Sequence, residues 1–243
     1  MNTHGHCCRG VAVLALFLLS FRATASAYRD DYLNETIVYR TVDRGTTEFE
    51  NWFDLEQPRS ESKFFRYDLT LEHGVTDHLM LSALIALDTA RDGFNYGRSR
   101  IEARYRFGEE NPDGISVAAS LELEDDQLER SDDLIARVVL NRDFKDFNVT
   151  LNLLPQVEVR GHQGHAFGYA IGLRYGQKEP VRYGIEIQEN VGERCIGQVI
   201  PQLWVRLPYG LDLKIGYAQR FTSGADNFCR VVVETEFGGR GER

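Results

Sequence analysis

The sequence predicts an all-β chain: a closed antiparallel transmembrane β-barrel of about 12 strands, with a short N-terminal extension and its apolar side chains facing outward. Three observations carry this. Residues 46–237 form a succession of segments, each about ten residues long, that alternate apolar with polar; that is the strand period and not the helix period. Clusters of Gly, Pro, Asp and Asn separate them. The face opposite the apolar one mixes Arg and Glu with Gly, Ala and Ser, a combination suited to a confined polar lumen.

Residues 1–27 read as a secretory signal. Arg9 gives a positive start, Val11 to Phe21 is apolar, and Ala25-Ser26-Ala27 has the small-x-small pattern of a cleavage site. An apolar run of 11 residues is too short to cross a bilayer as a helix. Cys7 and Cys8 precede the run, which is not where a lipid-attachment cysteine lies. The mature chain, residues 28–243, is one domain's worth and carries 26 basic against 37 acidic residues, a net charge of −11. A nucleic-acid partner is thereby disfavoured. No later stretch approaches 18 consecutive apolar residues, so a membrane role has to come from strands.

The twelve segments are 46–56, 62–72, 79–88, 96–107, 115–124, 133–142, 147–160, 166–175, 181–188, 196–207, 211–221 and 230–237. Their lengths bracket the roughly 9 to 11 residues that a tilted strand needs to span a membrane. Segment four sets Ile101, Ala103, Tyr105 and Phe107 against Arg98, Arg100, Glu102, Arg104 and Arg106; segment two sets Phe65, Tyr67, Leu69 and Leu71 against Arg66, Asp68, Thr70 and Glu72. Residues 35–42 also alternate, but counting them gives an odd number of strands, whereas single-chain bacterial barrels have even numbers. Residues 28–45 are therefore read as an N-terminal extension for which the lumen offers space, and 238–243 as a periplasmic tail. Pro155 and Pro201 fall inside strands with neighbours on both sides, where the missing N–H calls for a bulge. A soluble two-sheet sandwich or a lipocalin-like barrel would alternate too. The charged-and-small composition of the polar face, and aromatics gathered at strand ends, favour the membrane barrel.

Tyr105, Phe107, Phe147, Tyr175, Tyr183 and Phe237 fall beside one set of connections; Phe53, Phe65, Phe167 and Phe221 fall beside the other. The first set is taken as the periplasmic turns, because the last strand must close the barrel there.

The run Leu71-Glu72-His73-Gly74-Val75-Thr76-Asp77-His78-Leu79, a strand, a tight turn and a returning strand, resembles the turns of small Gram-negative outer-membrane barrels. The chain is similar in particular to the outer-membrane transporter barrels grouped with meta-pathway phenol degradation. The resemblance implies an outer-membrane location, lipids against the wall and insertion by the barrel assembly machinery. Such barrels usually end on an aromatic residue; here Phe237 is followed by Gly-Gly-Arg-Gly-Glu-Arg.

The inward-facing positions carry thirteen acids and thirteen bases. Two readings stand. One is a paired network that seals the barrel, since unpaired buried charge is costly. The other is a narrow channel or transporter for small polar or anionic solutes, with charges segregated by wall. In that case Glu48, Glu50, Glu234 and Glu236 crowd the closure seam, and Arg98, Arg100, Arg104, Arg106, Arg174, Arg182 and Arg206 occupy other walls. The arginines of segment four, flanked by Ser82, Ala86, Ser116, Ala118 and Ser120, have room to fork onto carboxylate or phosphate, or to pair with Glu102, Glu122 and Glu124. Trp52 and Trp204 face inward as solute-stacking rings or as filling. An outer-membrane hydrolase is the rival class, but no serine pairs convincingly with His73, His78, His162 or His165. His162-x-x-His165 reads as a solvated loop, so neither metal nor cofactor is expected. Cys195 and Cys229 are expected to form a disulfide at the outer ends of segments ten and twelve.

Overall fold

The computed structural model describes residues 31–238, apart from 35, 58–63, 91–92, 110, 112–113, 128–130, 161–163, 177–178, 192–195, 209–210 and 222–226. The expected signal peptide, residues 28–30, His162, Cys195 and the last five residues lie outside the described residues. Twelve strands are present: β1 (Thr46–Gln57), β2 (Phe64–Gly74), β3 (Leu79–Ala90), β4 (Gly93–Phe107), β5 (Ser116–Asp126), β6 (Ser131–Phe144), β7 (Phe147–Arg160), β8 (His165–Tyr175), β9 (Val181–Val191), β10 (Ile196–Arg206), β11 (Leu211–Arg220) and β12 (Asn227–Gly238). Each pairs with its neighbours in the chain, and β12 returns to β1 from Thr46↔Gly238 to Gln57↔Asn227, so the sheet closes. An even strand count puts the start of β1 and the end of β12 on one rim, here the proximal rim.

The period-two alternation sorts the side chains. On β4, Ile101 is 59% exposed on the outer wall while Glu102 beside it is 7% exposed in the lumen; on β3, Ile85 (51%) alternates with Ala86 (0%). A soluble barrel would bury the aliphatic set, and this continuous apolar exterior is what a bilayer requires. Aromatic contacts edge the belt at both rims. Phe147, Tyr175 and Tyr183 stack at 4.8 and 5.4 Å on the proximal side, and Phe65 meets Phe53 and Phe94 at 6.4 and 6.0 Å on the distal side.

Two irregularities are true register shifts, between Ala86 and Leu87 opposite β4 and between Asp132 and Asp133 opposite β7. The first falls at Gly97, where a Cβ would lie 2.1 Å from the Asp88 carboxylate. The prolines correct the sequence expectation, because neither makes a bulge. Register runs unbroken from Ile135↔Gln156 to Val138↔Leu153 and from Val199↔Gln219 to Gln202↔Gly216, with pairing lapsing only in between. Pro155 and Pro201 remain in register with Phe167 and Ile185 on their other sides. Losing a few ladder contacts beside the ring preserves the alternation, which an inserted residue would disturb.

Among the described residues the Cys229 thiol is unpaired. It sits in register with Leu55 and Tyr217, both exposed on the outer wall.

A closed sheet in which every strand is held on both sides should resist detergent. Unboiled mature protein is expected to migrate at a different apparent mass from boiled protein in detergent gels. A mature chain that stays monomeric and soluble without detergent would contradict the lipid-facing wall.

Candidate functional site

The lumen is occupied by a segment of the chain's own N-terminal part, residues 31–34 and 36–44. The turn into it is built by glycine: Gly45 has φ 74° and donates to the Gly74 carbonyl at 2.8 Å, and a Cβ on Gly74 would sit 2.2 Å from the Asp43 carbonyl oxygen. From the proximal rim the segment climbs past Met80, reverses at Leu33 and Asn34, and descends. Tyr32 N–H donates to the Thr36 carbonyl at 3.0 Å, and Val38 N–H to Asp31 Oδ1 at 2.6 Å. Arg104 Nη1 ties the two arms together, 2.7 Å from Asp31 Oδ2 and 3.4 Å from the Arg40 carbonyl oxygen.

This loop belongs to no sheet beyond one bridge at Arg44, so its buried peptide groups need individual partners. Side chains of the wall supply them. Glu186 accepts from Asn34 N (3.1 Å), Thr36 N (2.8 Å) and Thr36 Oγ1 (2.9 Å). Asn152 accepts from Ile37 N at 2.8 Å and donates to its carbonyl at 2.9 Å. Gln202 accepts from Leu33 N at 2.9 Å, and the Asn34 amide donates to Gln188. Apolar contacts complete the seat. Ile37 and Tyr39 pack on Ala118 and Val139, while Tyr32 and Val38 pack on Trp204. Tyr32 occupies the space that a Cβ on Gly172 would take, 2.3 Å away, and Leu33 does the same at Gly216, 2.6 Å away. Arg174, fully buried, lies 5.0 Å from the ring centres of both Tyr32 and Trp204, a cation over two π faces.

The predicted arginines do not form one face. Arg98 pairs with Asp68 (3.2 Å) and Glu124 (3.6 Å), and Arg100 with Glu122 (3.3 Å). Arg104 adds Glu102 at 3.1 Å to its hold on the segment. Arg106 sits at the proximal turn, bonded to the Asp77 carbonyl at 2.5 Å and to Glu109 at 3.1 Å. Arg182 and Arg206 share Asp212, at 3.1 and 3.4 Å. At the seam, Glu48 faces Glu236 and Glu50 faces Glu234 in register. Glu48, Glu50 and Glu234 bring carboxylate oxygens within 4.8 Å of one another, and Lys214 answers them from 3.0 Å at Glu50 and 2.5 Å at Glu234.

The segment divides the lumen. On the distal side is a vestibule of about 210 Å³, lined by Arg66, Arg98, Arg100, Arg220 and Arg230 against Asp54, Glu56 and Asp68, with Asn34 also in its lining. On the proximal side a chamber of about 40 Å³ is lined by seven carboxylates, among them Glu48, Glu50, Glu72, Glu234 and Glu236, and by Arg40 and Arg104. Sequence reasoning missed the seat of the segment. The available signal was local: inward positions of β7 to β10 interleave the amides Asn148, Asn152, Gln188, Gln198 and Gln202 with charges such as Arg174 and Glu186.

No protein-family model matches the chain, and no curated protein matches it. Among solved structures, the barrel is similar to the KdgM porin in complex with disordered oligogalacturonate, with TM-score 0.63 and 12% identity over 79% of this chain and 99% of that one. It is similar also to an outer membrane channel from Pseudomonas putida F1, with TM-score 0.63 and 11% identity over 86% of this chain and 100% of that one. The fold is that of an outer-membrane β-barrel. At these identities the likeness is one of fold.

Glu186 is the acceptor on which the tip depends most. In Glu186→Ala, buried N–H groups lose their partner, at about 1–3 kcal/mol each. The Thr36 amide is expected to exchange hydrogen about tenfold faster or more, which corresponds to about 1.4 kcal/mol, while strand amides stay protected. Unchanged Thr36 protection would show that Glu186 does not hold the segment.

Proposed function

We propose that the protein is an outer-membrane channel for small polar or anionic solutes, closed at rest by its residues 31–44. Lipids face its apolar wall and the barrel assembly machinery inserts it. The carrying observation is how the segment is held. Its contacts with the wall run almost entirely through side chains, so the segment can leave without breaking a strand ladder. The vestibule presents five arginines, and because Asp88, Asp68, Glu124, Glu122 and Asp54 pair with four of them, what it offers an anion is planar guanidinium donors rather than a net positive field. Two solved barrels of similar fold are described as a porin and an outer membrane channel, the porin in complex with oligogalacturonate. The sequence resemblance to transporter barrels grouped with meta-pathway phenol degradation points the same way.

A sealed structural barrel is the second reading, favoured by the dense pairing of lumenal charge. Planar-bilayer recording separates the two. The full mature chain should be silent or flicker rarely, and a variant lacking residues 31–41 should show steady steps several-fold larger. A folded deletion variant that stays silent refutes the channel.

In that open variant, Arg104→Ala with Arg106→Ala should move the reversal potential toward cation preference. Glu48, Glu50, Glu72, Glu234 and Glu236 would then dominate the proximal mouth. The shift should fade at molar salt, where the Debye length falls to about 3 Å. Unchanged selectivity would show that these walls do not set the field.

A further inference from the structure

Arg230 joins the vestibule to the segment. Its Nε and Nη2 bind the two oxygens of Asp54 at 2.6 and 2.5 Å, while Nη1 donates to the Leu33 carbonyl at 2.7 Å and to Asn34 Oδ1 at 3.0 Å. The guanidinium is held in place over Trp52, 4.8 Å from the ring centre, and over Phe228, at 5.0 Å. Arg230, Asn34 and Asp54 all line the vestibule.

We propose that Arg230 is a ligand-operated latch: an anionic solute seated in the vestibule takes the Nη1 donor from the segment tip and so loosens the segment. The proposal rests on the channel reading above. Three physical points support it. First, the tip offers Nη1 two neutral acceptors, a carbonyl and an amide oxygen. A carboxylate or phosphate oxygen brings a negative charge to the guanidinium, which a carbonyl or amide oxygen does not, so the exchange favours the solute. Second, Asp54 keeps the other edge of the guanidinium, so Arg230 stays paired throughout and no buried charge is orphaned. Third, the Asn34 side chain, whose oxygen would lose its donor, lines the polar vestibule rather than a dry core, so that part of the loss costs little. The planar fork is what allows one side chain to serve both sides at once.

The chain has two tryptophans, which makes the latch readable. Trp204 touches the segment through the Tyr32 ring, 5.6 Å away, and through an Nε1 bond of 3.4 Å to the Asp31 carbonyl, while Trp52 lines the vestibule. In mature protein refolded into vesicles, the part of the emission that a Trp204→Phe variant lacks reports how the segment is seated. The titrants are sodium glucuronate, citrate and inorganic phosphate, against glucose and sodium chloride at matched ionic strength. A saturable red shift with at least one of the three anions, and none with glucose or chloride, is expected. Adding Arg230→Lys, which keeps the charge but not the fork, should raise the required concentration about tenfold. If that variant does not fold, the titration with Arg230 intact decides alone. Emission that none of the three anions moves, in a protein whose 31–41 deletion conducts, overturns the latch and leaves the channel standing. An identical response in a folded Arg230→Lys variant overturns the role of Arg230. A saturable response in a protein whose deletion variant is silent supports the latch and refutes the channel.

Discussion

A barrel of eight strands can be filled by its own inward side chains, and one of sixteen leaves an aqueous channel. Twelve strands fall between, and the interior of this protein is a response to that width. Long side chains reach inward and pair along the walls, as Arg137 does with Glu122 at 2.7 Å, but the axis remains beyond their grasp. Residues 31–34 and 36–44 fill it. The apolar part of that filling is real core: Tyr32, Leu33, Val38 and Tyr39 are each 0–1% exposed, in a molecule whose other large aliphatics point largely to the outside. The interior is thus assembled inside out relative to a soluble domain, with a thin apolar thread inside a charged sleeve.

Wall and thread are held by different kinds of bond, and this separates their stabilities. The wall is a closed ring of main-chain ladders, cooperative and without an edge strand. The thread relies on single side-chain bonds, each worth about 1 kcal/mol net, and on the notches left by Gly172 and Gly216. A loss of several such bonds leaves the ring intact. Local opening at a free energy well below global unfolding is the expected behaviour of such an element.

The strand period made the ring legible. Alternation from residue 46 onward marked all twelve strands with boundaries close to those observed, because one face meets lipid and the other a polar lumen, and a slip of one residue would exchange them. Arg98, Arg100, Arg104, Glu50 and Glu234 line the lumen, on the side to which the same parity assigns them. What each of them touches did not follow. Ile37 is bound by Asn152 and Leu33 by Gln202, partners 115 and 169 residues away, and nothing periodic in the thread announces them. The thread even reads as a strand between residues 35 and 42, and only the even count of a closed barrel argued against placing it in the wall. The prolines misled for a related reason. A missing N–H has a local remedy, a lapse of pairing on one side, that sequence logic does not rank against a bulge.

The two chambers differ in charge, and the difference bears on how a solute would move. Arginines outnumber carboxylates five to three in the distal vestibule, while seven carboxylates face two arginines in the proximal chamber, with Lys214 bridging Glu50 and Glu234 nearby. An anion therefore meets guanidinium donors at one end and mainly carboxylates at the other, and the thread lies between. Arg104 stands at that boundary, shared by Glu102, Asp31 and the Arg40 carbonyl. If the thread withdraws toward the proximal rim, Asp31 leaves with it, and Arg104 regains a donor edge facing the axis. Under the channel reading, the motion that clears the path carries Asp31 and Arg40 away together, one charge of each sign, and so exposes Arg104 without changing the charge balance of the chamber. The barrier to an anion would then fall sterically, and Arg104, still beside Glu102, would be the donor it meets at the constriction.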